Sequence, residues 1–197
     1  MDRLRSPGGC PWDAEQTHET LVRHVIEEAH ELAEAIETGT RADLREELGD
    51  VLLQVIFHAR LAQEHATDAF GIDEVASLAA EKLIERHPHV FGDGTALTAA
   101  EVHESWERAK AASKARGSVL DGIPPALPAL ARAQKVLARA HRSGVAFTDE
   151  AGVGVGKRLL AEVARAEAEG VDAEGALRDA VRSLEASVRD AEAQAGS

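Results

Sequence analysis

Aromatic side chains are scarce in this 197-residue sequence: it has no tyrosine, and Phe and Trp together reach only 3%. Aromatic residues are among those a β-sheet prefers, so their scarcity argues against an extensive sheet. A single cysteine, Cys10, excludes an internal disulfide and fits a reducing compartment. No apolar run approaches the ~20 residues of a membrane-spanning helix, and Met1-Asp2-Arg3-Leu4-Arg5 carries no apolar signal region. Both point to a soluble cytoplasmic protein with no membrane partner. Basic residues are outnumbered, 22 Lys and Arg against 35 Asp and Glu, for a formal charge of −13. That excess repels a phosphate polymer, so general nucleic-acid binding is excluded. A small polyphosphate remains open, because a divalent metal can bridge carboxylate to phosphate.

What abounds is Ala, Leu, Glu and Arg, residues that favour helices packed closely through small side chains. The expected fold class is therefore all-α. Residues 6 to 13 are rich in turn formers. Apolar periodicity predicts a first helix over about residues 17 to 37, stopped at Gly39. A second begins near Asp43, read as an N-cap with Glu46 three residues on, and runs to about His65. A third spans about residues 72 to 86, ahead of Pro88. A fourth opens at Thr98, with Glu101 three residues later, and fades near Arg116. Residues 117–128 read as a Gly- and Pro-rich connector. Ala-rich helices follow, separated by the Gly-rich stretch from Gly144 to Gly156, and a charged last helix covers about residues 174 to 195.

The acidic residues are not evenly spread. At about 100° per residue, Leu21, Val25, Leu32 and Ile36 form the apolar stripe of the first helix, and Glu28 projects within it. Glu31 lies about 60° to one side, so these two carboxylates share a face. Glu27 and Glu34 point further out. The second helix is apolar on nearly every side from Leu48 to Leu61, and its narrow polar line is Glu47, Asp50, Gln54 and His58. A helix so apolar is expected to be buried on most sides. Four acids on two helices repel one another unless cations neutralise them. Oxygen ligands of this kind suit Mg²⁺ or Mn²⁺. A di-iron bundle would need inward Glu-x-x-His pairs. Glu27-x-x-His30 has that spacing, but His30 projects roughly opposite Glu28, which disfavours it.

A metal-bridged polyphosphate also needs cations. Lys82 and Arg86 stand at i, i+4 on the third helix, leading into His87-Pro88-His89-Val90-Phe91, and Trp106 and Lys110 repeat that spacing on the fourth. Taken singly, each has an ordinary structural explanation: ion pairs with Glu81 and Glu85, a core tryptophan, turn histidines. No Gly-rich phosphate loop is present, so a nucleotide would have to be held by metals and side chains.

Together the motifs resemble one family. Glu27-Glu28-x-x-Glu31 followed by Glu47-x-x-Asp50 is similar to the acidic motif of the MazG-type nucleoside triphosphate pyrophosphohydrolases. Gly9-Cys10-Pro11-Trp12-Asp13 with Gln16-Thr17, then Glu46-Glu47-Leu48-Gly49-Asp50, Arg86-His87-Pro88-His89-Val90-Phe91 and Leu120-Asp121-Gly122-Ile123-Pro124 extend the resemblance in the same order across residues 4 to 147. The resemblance implies a four-helix core pairing with a second subunit, as a homodimer or higher homo-oligomer. It implies Mg²⁺ on Glu28, Glu31, Glu47 and Asp50, phosphates on Lys82 and Arg86, and Trp106 and Lys110 at the nucleotide. The implied reaction is hydrolysis of a nucleoside triphosphate to monophosphate and pyrophosphate, with Glu27 or Glu31 helping to take the proton, in a sanitising or stress-related role. Residues 1–116 would be the catalytic repeat and 129–197 a degenerate second one. There the expected second Glu-rich helix is missing, and the ligand positions fall on Gly and Val residues and Arg158. The alternatives are a catalytically weak nucleotide sensor or scaffold, and a hydrolase of a signalling nucleotide.

Overall fold

The computed structural model describes residues 1–94, 98–112, 117–146 and 154–195. Among the described residues there are ten helices and no strand, in keeping with the all-α expectation. They fall into two compact units, Met1–Ser113 and Lys114–Ser197.

The first unit opens with two short helices, α1 (Asp2–Arg5) and α2 (Pro11–Glu15), within the stretch the sequence marks as turn-rich. Pro11 occupies the first turn of α2, where its missing N–H costs nothing. Four long helices follow: α3 (His18–Glu37), α4 (Arg41–Ala62), α5 (Ile72–Arg86) and α7 (Ala99–Ala112), with the single-turn α6 (Pro88–Phe91) between the last two. Their ends follow capping chemistry. Thr17 caps α3 by accepting from the Thr20 N–H, and Thr40 caps α4 by accepting from Ala42 and Asp43. Asp43 is therefore not the N-cap expected from sequence; it is the reciprocal partner, accepting the Thr40 N–H at 2.7 Å. Thr98 and Glu101 form the same exchange ahead of α7. The fading of the fourth helix near Arg116 lies outside the described residues.

A three-residue turn reverses the chain between α3 and α4, so the two run antiparallel in the unit's most extensive packing. An added Cβ at Gly39 would meet the Ala35 Cα at 2.7 Å, so only glycine allows that closure. Beyond this hairpin, α5 packs on α4 and α7 packs on α5.

The buried core of this unit is small: Leu21, Phe57 and Leu61, with Met1 against them. This corrects the burial expected from the helical wheel. On α3 only Leu21 and Ala35 are buried, whereas Val25 is 39% and Ile36 65% exposed. On α4 the buried residues gather at the C-terminal end, while Leu48, Leu52, Leu53 and Val55 stay exposed. The reason is geometric: each helix of a hairpin buries one stripe, and the remaining apolar sides of α4 are left uncovered among the described residues of this unit.

In the second unit, α8 (Ala129–Arg142), α9 (Val155–Ala168) and α10 (Ala173–Ala195) each pack on the other two around Leu137, Ala140 and Val163. Gly170, at φ +70°, ends α9 in the left-handed conformation that glycine adopts without strain. Gln134 bridges the α9–α10 turn, donating to the Val171 carbonyl at 2.6 Å and accepting the Ala173 N–H at 3.0 Å. Arg139 donates to the carbonyls of Val119 and Asp121, which holds the connector to α8.

Candidate metal centre

The α3–α4 hairpin brings the two acidic segments face to face. Glu28 from α3 and Glu47 and Asp50 from α4 each offer a carboxylate oxygen, all within 4.8 Å of one another, and all three residues are half-buried. Glu47 and Asp50 are three residues apart and so share a face of α4. Gln54, one further turn along, donates its amide to Glu28 at 3.5 Å.

Electrostatically the cluster is under tension. Lost hydration pushes the Glu47 carboxyl above the usual carboxylate range, and the charges of Glu31, Asp50, Glu46 and Glu28 add to this. Glu31 is raised in the same way, first by lost hydration and then by Glu28 and Glu27. The Glu47 Oε2 is buried with no hydrogen-bond partner. An orphaned carboxylate oxygen among like charges is costly, and a cation there would neutralise and coordinate the cluster together. The donor set is carboxylate oxygen throughout, which fits a hard divalent cation.

Of the acids singled out in the sequence, Glu28, Glu47 and Asp50 converge, and Glu31 lies within electrostatic reach of all three. Glu27 is exposed and faces His24 at 3.6 Å, a weak contact at the surface. His30 is exposed, as the argument against a di-iron centre expected. On α5, Lys82 is exposed and Arg86 half-buried, and neither pairs with Glu81 or Glu85 among the described residues. The Arg86 guanidinium lies over the Trp106 ring, 5.2 Å from its centroid, and its Nε is buried without a hydrogen-bond partner. Cation–π stacking thus links α5 to α7. The Lys110 side chain lies outside the described residues.

Two features went unread in the sequence. His18 and His58 lie 40 residues apart, yet their Nδ1 atoms approach to 2.7 Å and their nearly parallel rings meet edge to edge, with centroids 5.0 Å apart. His58 was legible on the polar line of α4; its partner was not, because only the hairpin register pairs them. The other is Arg5, which holds α1 and α2 against α4. It donates to both carboxylate oxygens of Glu64 at 2.9 and 2.8 Å and to the carbonyls of Asp13 and Gln16, with its guanidinium 5.7 Å from the Phe57 centroid.

Residues 16–91, which span α3 to α6, match the MazG nucleotide pyrophosphohydrolase domain. The chain is 53% identical over 194 residues to an uncharacterized 26.1 kDa protein from the blaB 3' region of Streptomyces cacaoi, covering 98% of this chain and 79% of that one. It is 47% identical over 145 residues to a nucleoside triphosphate pyrophosphohydrolase of Mycobacterium tuberculosis, covering 74% of this chain and 44% of the relative. To the nucleoside triphosphate pyrophosphohydrolase/pyrophosphatase MazG of Thermotoga maritima it is 45% identical over 155 residues, covering 78% of this chain and 58% of the relative. The chain thus spans about half the length of these two pyrophosphohydrolases. The acidic hairpin lies within the matched residues, and the chain belongs to the MazG nucleotide pyrophosphohydrolase family.

Proposed function

We propose that this chain hydrolyses nucleoside triphosphates, ribo- or deoxyribo-, to nucleoside monophosphate and pyrophosphate, using Mg²⁺ held by Glu28, Glu31, Glu47 and Asp50. The observation that carries the reading is the convergence of three carboxylates from two helices around a buried oxygen that has no partner. When bound, Mg²⁺ (or Mn²⁺ in its place) supplies neutralisation of the triphosphate and a lowered pKa for the attacking water. One carboxylate of α3, Glu27 or Glu31, accepts the proton of that water. Lys82 and Arg86 clamp phosphate oxygens; the unpartnered Nε of Arg86 is a donor available for this role. Trp106, already stacked on Arg86, positions the nucleotide end of the site together with Lys110.

The active assembly in this reading is a homodimer, its catalytic part lying in residues 1–116. Residues 129–197 act as a degenerate second repeat without ligands, joined by the connector at 117–128. The physiological role is removal of unwanted nucleotides from the pool or a response to stress, in the cytoplasm.

The test is pyrophosphate release from a panel of ribo-, deoxyribo- and modified triphosphates, with and without Mg²⁺. Mg²⁺-dependent release is expected and would rank the substrates. Binding of nucleotide and Mg²⁺ without release from any of them would replace the hydrolase with a nucleotide sensor.

A further inference from the structure

Gln54 continues the polar line of α4 four residues beyond Asp50 and seven beyond Glu47, so the three share one face of the helix. It is half-buried, and with Glu28 it lines an open cavity of about 340 Å³ whose walls include the aliphatic side chains of Val25, Ala29, Val51 and Val55. The two ends of its amide are in different circumstances. Nε2 donates to Glu28 at 3.5 Å, while Oε1 is buried with no hydrogen-bond partner. The ends do not exchange, because an ionised carboxylate only accepts: the NH₂ group faces Glu28 and the carbonyl oxygen faces elsewhere.

A buried acceptor without a donor is costly, and an apolar side chain of the same length would avoid that cost. The bond at the other end does little to offset it, since 3.5 Å is longer than the about 2.7–3.2 Å of an ordinary N–H···O bond. A polar group that the fold does not need, placed against a carboxylate cluster, points to a partner that arrives with the ligand.

We propose that Gln54 is a positioning residue of the metal centre: its Nε2 orients Glu28, and its Oε1 accepts a hydrogen bond from a water on the metal. The inference rests on the reading that the carboxylate cluster holds Mg²⁺. Mg²⁺ takes few carboxylates and keeps several waters, and a water polarised by a divalent cation is a strong donor. Partners of this outer kind hold a ligand in its coordinating orientation and raise metal affinity. An amide suits the position better than another acid. Lost hydration and like charges already hold Glu47 and Glu31 above the usual carboxylate range. A further carboxylate would add to that repulsion, whereas glutamine donates to one neighbour and accepts from another without adding charge.

The test pairs two measurements on Gln54→Met, which keeps the length of the side chain and removes both polar atoms. In metal-free protein the variant should melt roughly 2–4 °C above wild type, because the buried unpaired oxygen is gone. Calorimetric titration with Mg²⁺ alone, and with Mn²⁺ alone, should give dissociation constants about 10- to 100-fold above wild type. The Mg²⁺ concentration for half-maximal pyrophosphate release should rise alongside. In a Glu28→Gln background the same substitution should weaken metal binding by a smaller factor, since the carboxylate that Nε2 orients has already gone. A variant that melts below wild type without metal would make Gln54 structural and overturn the proposal. So would wild-type metal affinity in Gln54→Met, or full additivity of the two substitutions. Loss of nucleotide binding with metal binding intact would assign Oε1 to the substrate, which also overturns it. If the wild-type chain binds neither metal, the metal reading falls and takes this role with it. Wild-type binding that Gln54→Met keeps in full removes Gln54 alone.

Discussion

At the scale of single residues, the acidic cluster makes opposite demands with and without metal. Glu47 and Glu31 hold their protons more tightly in the folded chain than in the unfolded one, because folding dehydrates them and brings like charges together. The folded state therefore binds more protons between the usual carboxylate range and the raised values, and in metal-free protein this contribution to stability falls as pH rises through that window. Glu47→Gln removes the charge and keeps the shape. Stripped of divalent cations, this variant should melt above wild type at neutral pH, and the gain should vanish below the usual carboxylate range. Added Mg²⁺ should reverse the order, since only the wild-type cluster gains the binding free energy. A variant that melts below wild type at neutral pH without metal would contradict the repulsion. Asp50→Ala should keep the fold and lower Mg²⁺-dependent pyrophosphate release at least about 100-fold, more than loss of an outer partner of a metal ligand causes. A wild-type rate in a pyrophosphate assay would remove Asp50 from the site.

At the scale of elements, the Arg5 contacts tie the N-terminal helices to the hairpin that carries the site. Glu64 is held below the usual carboxylate range, first by its hydrogen bonds from Arg5 and then by the charges of Arg5 and Arg60. A lowered carboxylate contributes stability above its unfolded pKa and loses it as pH falls. Arg5→Ala should therefore cost about 1–3 kcal/mol at neutral pH, the range for hydrogen bonds to charged groups, and progressively less in acid. Denaturant melts at pH 7 and pH 3.5 would check this, and a pH-independent difference would place the loss in the stacking on Phe57 instead. Thr40→Ala should cost about 1 kcal/mol through the lost cap of α4, read in the same melts.

Elements of this kind are also where the sequence was most and least readable. The third predicted helix, over about residues 72 to 86, matches Ile72–Arg86, because the Pro88 that follows it is a local stop signal. The start of α4 was misplaced by three residues because Thr40 and Asp43 both suit an N-cap, and only the exchanged hydrogen bonds tell cap from partner. The convergence of Glu28, Glu47 and Asp50 was legible from helical spacing. The Arg5–Glu64 and His18–His58 contacts were not, since each joins residues 40 or more apart and depends on the register of packed helices.

At the scale of the molecule, the wheel argument that failed for a single chain bears on its assembly. It expected α4 to be buried on most sides, yet Leu48 is 52%, Leu52 54% and Leu53 43% exposed, and Ile26 and Ile36 of α3 are exposed as well. Apolar residues left uncovered on both helices of one hairpin mark an interaction surface. A second copy of the same hairpin could cover them while leaving the polar line of α4 to the metal. Two chains of formal charge −13 repel, however. The dimer should therefore tighten as salt screens the charge, the Debye length shortening from about 30 Å at 0.01 M to about 8 Å at 0.15 M. Sedimentation at micromolar concentration should find a homodimer at physiological salt and a larger monomer fraction at low salt. Leu52→Glu, which introduces a charge into the apolar face away from the ligands, should give monomer at any salt, and its melting temperature should lose the dependence on protein concentration that a coupled dimer shows. If Leu52→Glu remains dimeric, another surface holds the copies together. If the wild-type chain is monomeric throughout, the exposed face of α3 and α4 has some other cover.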